Sequence, residues 1–162
     1  MTARIEINSI DQHIGPQGQK LRLILTQETA GEVPPFSMLD VWMPPGGISV
    51  PHVHWKSPIA VRLLDGYGAT LVREGEDWVP YLHGPESVMY IPAGVLHCAV
   101  NLSKRASCFG IEVRSDPAGN DDVDTLSQHV GVVNPIAEQL RLEYADRMAQ
   151  AVAAGRAPWH LG

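Results

Sequence analysis

His52 and His54 stand one residue apart in the stretch Pro44 to Gly66. On a β-strand, alternate side chains project to the same face, so both imidazoles can enter one interior. A second stretch, Glu86 to Asn101, carries His97 just beyond the turn Pro92-Ala93-Gly94. Neutral imidazole is a common ligand for mid-series divalent metals and suits iron, zinc, copper and nickel. Three histidines converging from neighbouring strands therefore predict a metal site made of His52, His54 and His97.

The two stretches resemble the paired motifs of the cupin family. The first motif runs Gly, five residues, His-x-His, three or four residues, Glu, six residues, Gly. Gly46, His52, His54 and Gly66 fall on that spacing, with Ile59 at the Glu position. The second runs Gly, five residues, Pro-x-Gly, two residues, His, three residues, Asn. Pro92, Gly94, His97 and Asn101 match it, and Glu86 stands at its first Gly. The resemblance covers residues 20 to 114. It implies an all-β fold, an antiparallel cupin β-barrel of the jelly-roll type, here with a C-terminal α-helix.

In cupins that keep the whole pattern, three His and one Glu hold a divalent metal. Carried over, this makes His52, His54 and His97 the ligands and leaves the Glu without a counterpart, since Ile59 has no donor atom. A neutral three-histidine set leaves a dication its full charge and open positions. Such a site favours anionic bidentate substrates. Some cupin dioxygenases use this set on Fe(II) to cleave diketones or acetophenones, or to oxidise thiols. The resemblance thus implies a non-haem Fe(II) dioxygenase acting on a small enolisable substrate, with molecular oxygen as partner. Zn, Mn or Ni are the alternative metals, and zinc with three His and a water would support hydrolytic or isomerase chemistry. A metal-dependent isomerase or lyase is the second reading, and a non-catalytic small-molecule-binding cupin the third.

Other residues are candidates for the pocket around the metal. Ile59, Val61, Met89 and Ile91 form an apolar wall, Trp42 lies on a preceding strand, and Glu112 on the last strand could supply a remote carboxylate. The alternative for Glu112 is an outward or salt-bridged glutamate. Lys56 and Arg62 are read as solvated charge. Tyr81 and the turn residue His83 have no motif position.

Positioning these groups requires strands. Apolar runs at 21–25, 37–43, 59–64, 69–73, 78–82, 87–91, 97–101 and 106–114 are separated by Gly and Pro turns, a spacing that argues for a sandwich or barrel. Residues 1–19 read as an N-terminal arm, with a possible edge strand at Ile5, Ile7 and Ile10 and a loop histidine at His13. Residues 20–115 read as the barrel. Residues 116–162 read as a connection and a helix. Asp121, Asp122 and Asp124 in the connection lack the glycine and terminal Glu of a calcium loop and are taken as solvated. Asn134-Pro135 predicts a helix start. Ile136, Leu140, Tyr144, Met148 and Val152 then step by four along one face, and Gly155 and Pro158 end it.

The 162 residues form one domain able to bury a substantial core, with net charge -6 and a pI of about 5.6. That balance argues against a nucleic-acid footprint, which needs clustered Lys and Arg. No apolar run approaches a membrane span, and the N-terminus has no apolar signal core. The expected location is the cytoplasm. Cys98 and Cys108 give no disulfide framework, and Cys98, next to His97, is expected to face away from the metal. The apolar helix face and the loose arm predict a homodimer.

Overall fold

The computed structural model describes residues 4–30, 34–119 and 122–153, with side chains as far as residue 147. The strands among them are β1 (His13–Ile14), β2 (Lys20–Leu25), β3 (Ser37–Met43), β4 (His52–His54), β5 (Ile59–Asp65), β6 (Gly68–Glu74), β7 (Asp77–His83), β8 (Met89–Ile91), β9 (His97–Asn101), β10 (Cys108–Arg114) and β11 (Val123–Thr125). They form two antiparallel sheets. One has the order β1-β2-β3-β10-β5-β8 and the other β11-β4-β9-β6-β7.

The strand sequences decide which faces are buried. β10 alternates: Cys108, Gly110, Glu112 and Arg114 are buried, and Phe109, Ile111 and Val113 lie on the opposite, more open face. β6 is buried on both faces from Gly68 to Val72, which requires a cover outside the five-stranded sheet. Helix α1 (Gln27–Ala30) is a single turn, and α2 (Val130–Ala153) supplies the cover. Val133, Ala137 and Leu140 pack with Leu71, Trp78, Cys98, Val100 and Leu102 in one buried cluster. Cys98 therefore faces the helix, away from the histidines. No described helix is long and apolar enough to cross a membrane.

Arg141 latches α2 to the first motif. Its guanidinium donates from Nη2 to the carbonyls of Gly46 at 2.8 Å and Gly47 at 2.9 Å, and from Nε to that of Asn101 at 3.0 Å. Asn101 in turn donates its amide to the carbonyls of Met43, Pro44 and Ala106. The second motif's turn is tied in as well. Gly94, at a left-handed φ of +77°, donates its N–H to the carbonyl of His54 at 2.8 Å. Gly66, at φ +80°, passes so close to β10 that a Cβ there would stand 2.8 Å from that of Cys108.

Four sequence expectations are corrected. Residues 7–9 form a 3-10 turn and no edge strand, because Ser9 donates both its N–H and its hydroxyl to the carbonyl of Glu6. The run at 87–91 pairs only from Met89, since Ser87 closes a turn on Gly84. The connection after Arg114 contributes β11, which pairs with β4 along the histidines. Finally, α2 begins at Val130 with Pro135 inside it. The two residues flanking that proline on the buried face, Val133 and Ala137, are both fully enclosed, so tertiary packing carries the helix through. The side chains of Met148 and Val152, and all of Gly155, Pro158 and Asp121, lie outside the described residues.

Candidate metal centre

β4 is three residues long and buried throughout. It sets His52 and His54 on one face, and its antiparallel pairing places His52 directly opposite His97 on β9. The three rings are 2–3% exposed. Ring centroids lie 4.4 Å apart for His52 and His97, 5.3 Å for His52 and His54, and 5.9 Å for His54 and His97. One ring nitrogen from each lies within 4.8 Å of the others, so the structure brings together the three predicted ligands.

The other nitrogen of each ring is anchored. His52 Nδ1 lies 2.7 Å from the carbonyl of Val50 and His97 Nδ1 2.9 Å from that of Val95. His54 Nδ1 lies 3.2 Å from Asp122 Oδ1. Carbonyl and carboxylate oxygens only accept, so each Nδ1 carries the hydrogen and each Nε2 keeps its lone pair. His54 Nε2 is buried with no hydrogen-bond partner in the protein. A buried acceptor is rarely left so unless something else takes its lone pair. Fixed tautomers with Nε2 free are what a divalent metal requires, and the residues fit the group.

Electrostatics support the same reading. Burial, then the neighbouring His97, drives His52 well below its ordinary pKa. Burial and then the Arg114 charge lower His54. Burial pushes His97 down to about 4. All three rings are neutral at pH 7, the form in which imidazole can bind a metal. Asp122 behaves oppositely: burial works to raise it, but hydrogen bonds from His54, Ser57 and Lys56 prevail and hold it below the usual carboxylate range. Its Oδ2 accepts the N–H of Lys56 at 3.0 Å and of Ser57 at 2.8 Å. The expectation of a solvated Asp122 is thereby corrected.

A mostly apolar, partly open cavity of about 40 Å³ adjoins the histidines. Ile59, Val61, Ile91 and Glu112 line it together with His52 and His97. Ile59 stands opposite Arg114 in the β5–β10 register, and Glu112 one inward position further along, opposite Val61. Glu112 is inward and buried, and it receives a hydrogen bond from Arg114 Nε in a buried ion pair. Arg114 Nη1 also donates to the carbonyl of Gly119 at 2.8 Å. The carboxylate is thus held by an arginine and does not belong to the cluster of ligand atoms.

Trp42 and Met89 do not line this cavity. Val41 and Met43 take the inward positions of β3, so Trp42 points outward, stacked on Phe109 at 5.0 Å with Arg22 over its ring at 5.2 Å. Met89 lies on edge strand β8 and lines a separate groove with Val72, Tyr81 and Val95. Conversely, the cavity includes Gln19, Thr70 and His83, which carry no motif signal. Lys56 and Arg62 are exposed, as expected.

No family model matches the chain, and no curated protein matches its sequence. Solved structures match its fold. Oxalate decarboxylase from Bacillus subtilis superposes with a TM-score of 0.65 at 13% identity, covering 99% of this chain and 39% of that one. The polyketide cyclase RemF from Streptomyces resistomycificus gives 0.65 at 16% identity, covering 85% and 98%. An oxalate oxidase gives 0.62 at 14% identity, covering 89% and 81%. The chain thus spans well under half of the decarboxylase. At these identities the likeness is one of fold, and the fold is that of the cupins.

Proposed function

With the cupin fold as premise, we propose that this chain is a metal-dependent enzyme, a non-haem Fe(II) dioxygenase acting on a small anionic or enolisable substrate. The observation that carries the reading is the set of three buried, neutral histidines with anchored Nδ1 and free Nε2. Structural neighbours named as an oxalate decarboxylase, an oxalate oxidase and a polyketide cyclase support an enzyme.

When bound, the metal supplies a Lewis acid for two chelating oxygens and an electron route to O2. The chain does the rest. Val50, Val95 and Asp122 orient the three rings. Ile59 brings no charge, so the dication stays un-neutralised and draws an enolate. Ile59, Val61 and Ile91 exclude water from the apolar body of the substrate. For a β-diketone the balanced reaction joins one O2 to one diketone, breaks a carbon–carbon bond, and yields one carboxylic acid and one 1,2-dicarbonyl compound.

The test is oxygen uptake by Fe(II)-loaded protein with β-diketones and hydroxyacetophenones. Uptake with stoichiometric products supports the reading. Metal binding without uptake on any of them refutes it. A second reading, metal-dependent isomerisation or cyclisation without O2, is favoured by the near-complete mutual coverage with RemF. We also propose a homodimer paired through sheet edges, since α2 packs its apolar face on the five-stranded sheet of its own chain and leaves the edges as the surfaces for it.

A further inference from the structure

The cavity has a second polar place. Along β6 the register sets Val72 opposite His97, Thr70 opposite Ala99, and Gly68 opposite both Asn101 and His83. Thr70 lies two residues from the level of His97, about 7 Å at the strand rise. The His83 ring reaches back to it, with Nε2 3.1 Å from Thr70 Oγ1. The ring lies beside Gly68, where a Cβ would stand in ordinary contact with His83 Cε1 at 3.6 Å. Val41, Ile59, Leu63 and Ile91 make the wall between the two places apolar.

His83 Nδ1 is buried and has no hydrogen-bond partner in the protein. A histidine kept only for packing would be expected to satisfy both nitrogens. Burial pushes the His83 pKa down to about 4, so the ring is neutral at pH 7. A neutral ring offers one donor and one acceptor, and the Thr70 hydroxyl can face either at Nε2. Nδ1 is then an acceptor in one tautomer and a donor in the other. A hydroxyl group answers both; a carbonyl answers one.

We propose that His83 and Thr70 form a distal recognition point, selecting a substrate whose hydroxyl group lies across an apolar body from its metal-chelating oxygens; at about 40 Å³ the cavity holds a few water molecules, so binding such a body requires its apolar walls to part. The proposal rests on the metal-site reading above for the chelating end. It narrows the substrate class to hydroxylated enolisable ketones, with His83 as a specificity-determining residue.

The experiment compares two probes, 1-phenylbutane-1,3-dione and its 4-hydroxyphenyl counterpart, by calorimetry under argon on metal-loaded and metal-free protein. The wild type should bind the hydroxylated probe about tenfold more tightly than the plain one, the scale of one buried hydrogen bond. His83→Phe should bring that ratio close to one. Thr70→Val, which frees Nε2, should lower it several-fold and serves if His83→Phe does not fold. A ratio near one in the wild type, or an unchanged ratio in the variants, overturns the proposal. Metal content measured on the same samples separates the two readings. A wild type that loads no metal refutes the metal site, while the ratio on metal-free protein still decides the role of His83.

Discussion

Asp122 reaches back sixty-eight residues to His54, its Oδ1 3.2 Å from the ring's Nδ1. Its other oxygen accepts the N–H groups of Lys56 and Ser57, so one carboxylate fixes both the tautomer of a candidate ligand and the backbone that follows it. Asp122→Asn removes the charge but keeps an acceptor. Metal affinity should fall about 10- to 100-fold, the usual effect of losing such a partner. Competition with a chelator of known affinity measures this. An unchanged affinity would reduce Asp122 to a loop anchor.

Ile59→Glu restores the carboxylate of the family motif. The side chain would enter opposite Arg114 and near Glu112. Metal should bind as tightly as before or more so, because a negative ligand has been added. An anionic bidentate substrate should bind at least tenfold more weakly, since the metal's effective charge is lower. Paired metal and ligand titrations check both halves. If substrate binding improves, the neutral ligand set is not what selects the anion.

The convergence of the three histidines was legible in the sequence because strand period and motif spacing are local facts. His52, Ile59, His97 and Asn101 all sit where those facts placed them. Asp122 was not legible, since its role depends on a long-range return of the chain that no local pattern records. His83 was missed for a related reason. It closes β7 like any turn residue, and only the β6–β7 register shows its ring reaching Thr70. Trp42 and Val41 show how one strand position decides the matter: the tryptophan drew notice by its type, but the pleat turns it outward. Pro135 signalled a helix start, and the burial of Val133 overrode it.

Acidification should destabilise the metal-free protein. His83 and His97 have folded pKa values of about 4, against 6.5 for the free side chain. Between those values the unfolded chain binds more protons, so stability rises with pH across this window. The contribution is fully present above pH 6.5 and is lost as pH falls towards 4. It amounts to a few kcal/mol per group at the limit, at about 1.4 kcal/mol per pKa unit. Urea midpoints from pH 7 to 4.5 should fall steadily, and less steeply in His83→Phe. A flat profile would mean the two rings are better solvated than their burial implies.

Arg141→Ala removes the latch between α2 and the first motif. The carbonyls of Gly46, Gly47 and Asn101 would lose a buried charged donor. The loss should be on the order of 3 kcal/mol, judged from the cost of unsatisfied buried groups. Chemical denaturation measures it. Since the Gly46-Gly47 turn precedes the histidine strand, metal affinity should fall as well. A variant with wild-type stability would show that the helix is held by Val133, Ala137 and Leu140 alone.

The central claim is that His52, His54 and His97 hold one divalent metal. Its most direct test is elemental analysis of protein reconstituted with Fe(II) under argon and then desalted, with His52→Ala and His97→Ala alongside. The account predicts about one iron per chain in the wild type and almost none in either variant, because two imidazoles rarely retain such an ion against water. A wild type that stays metal-free, or a variant that keeps its full iron, would contradict it.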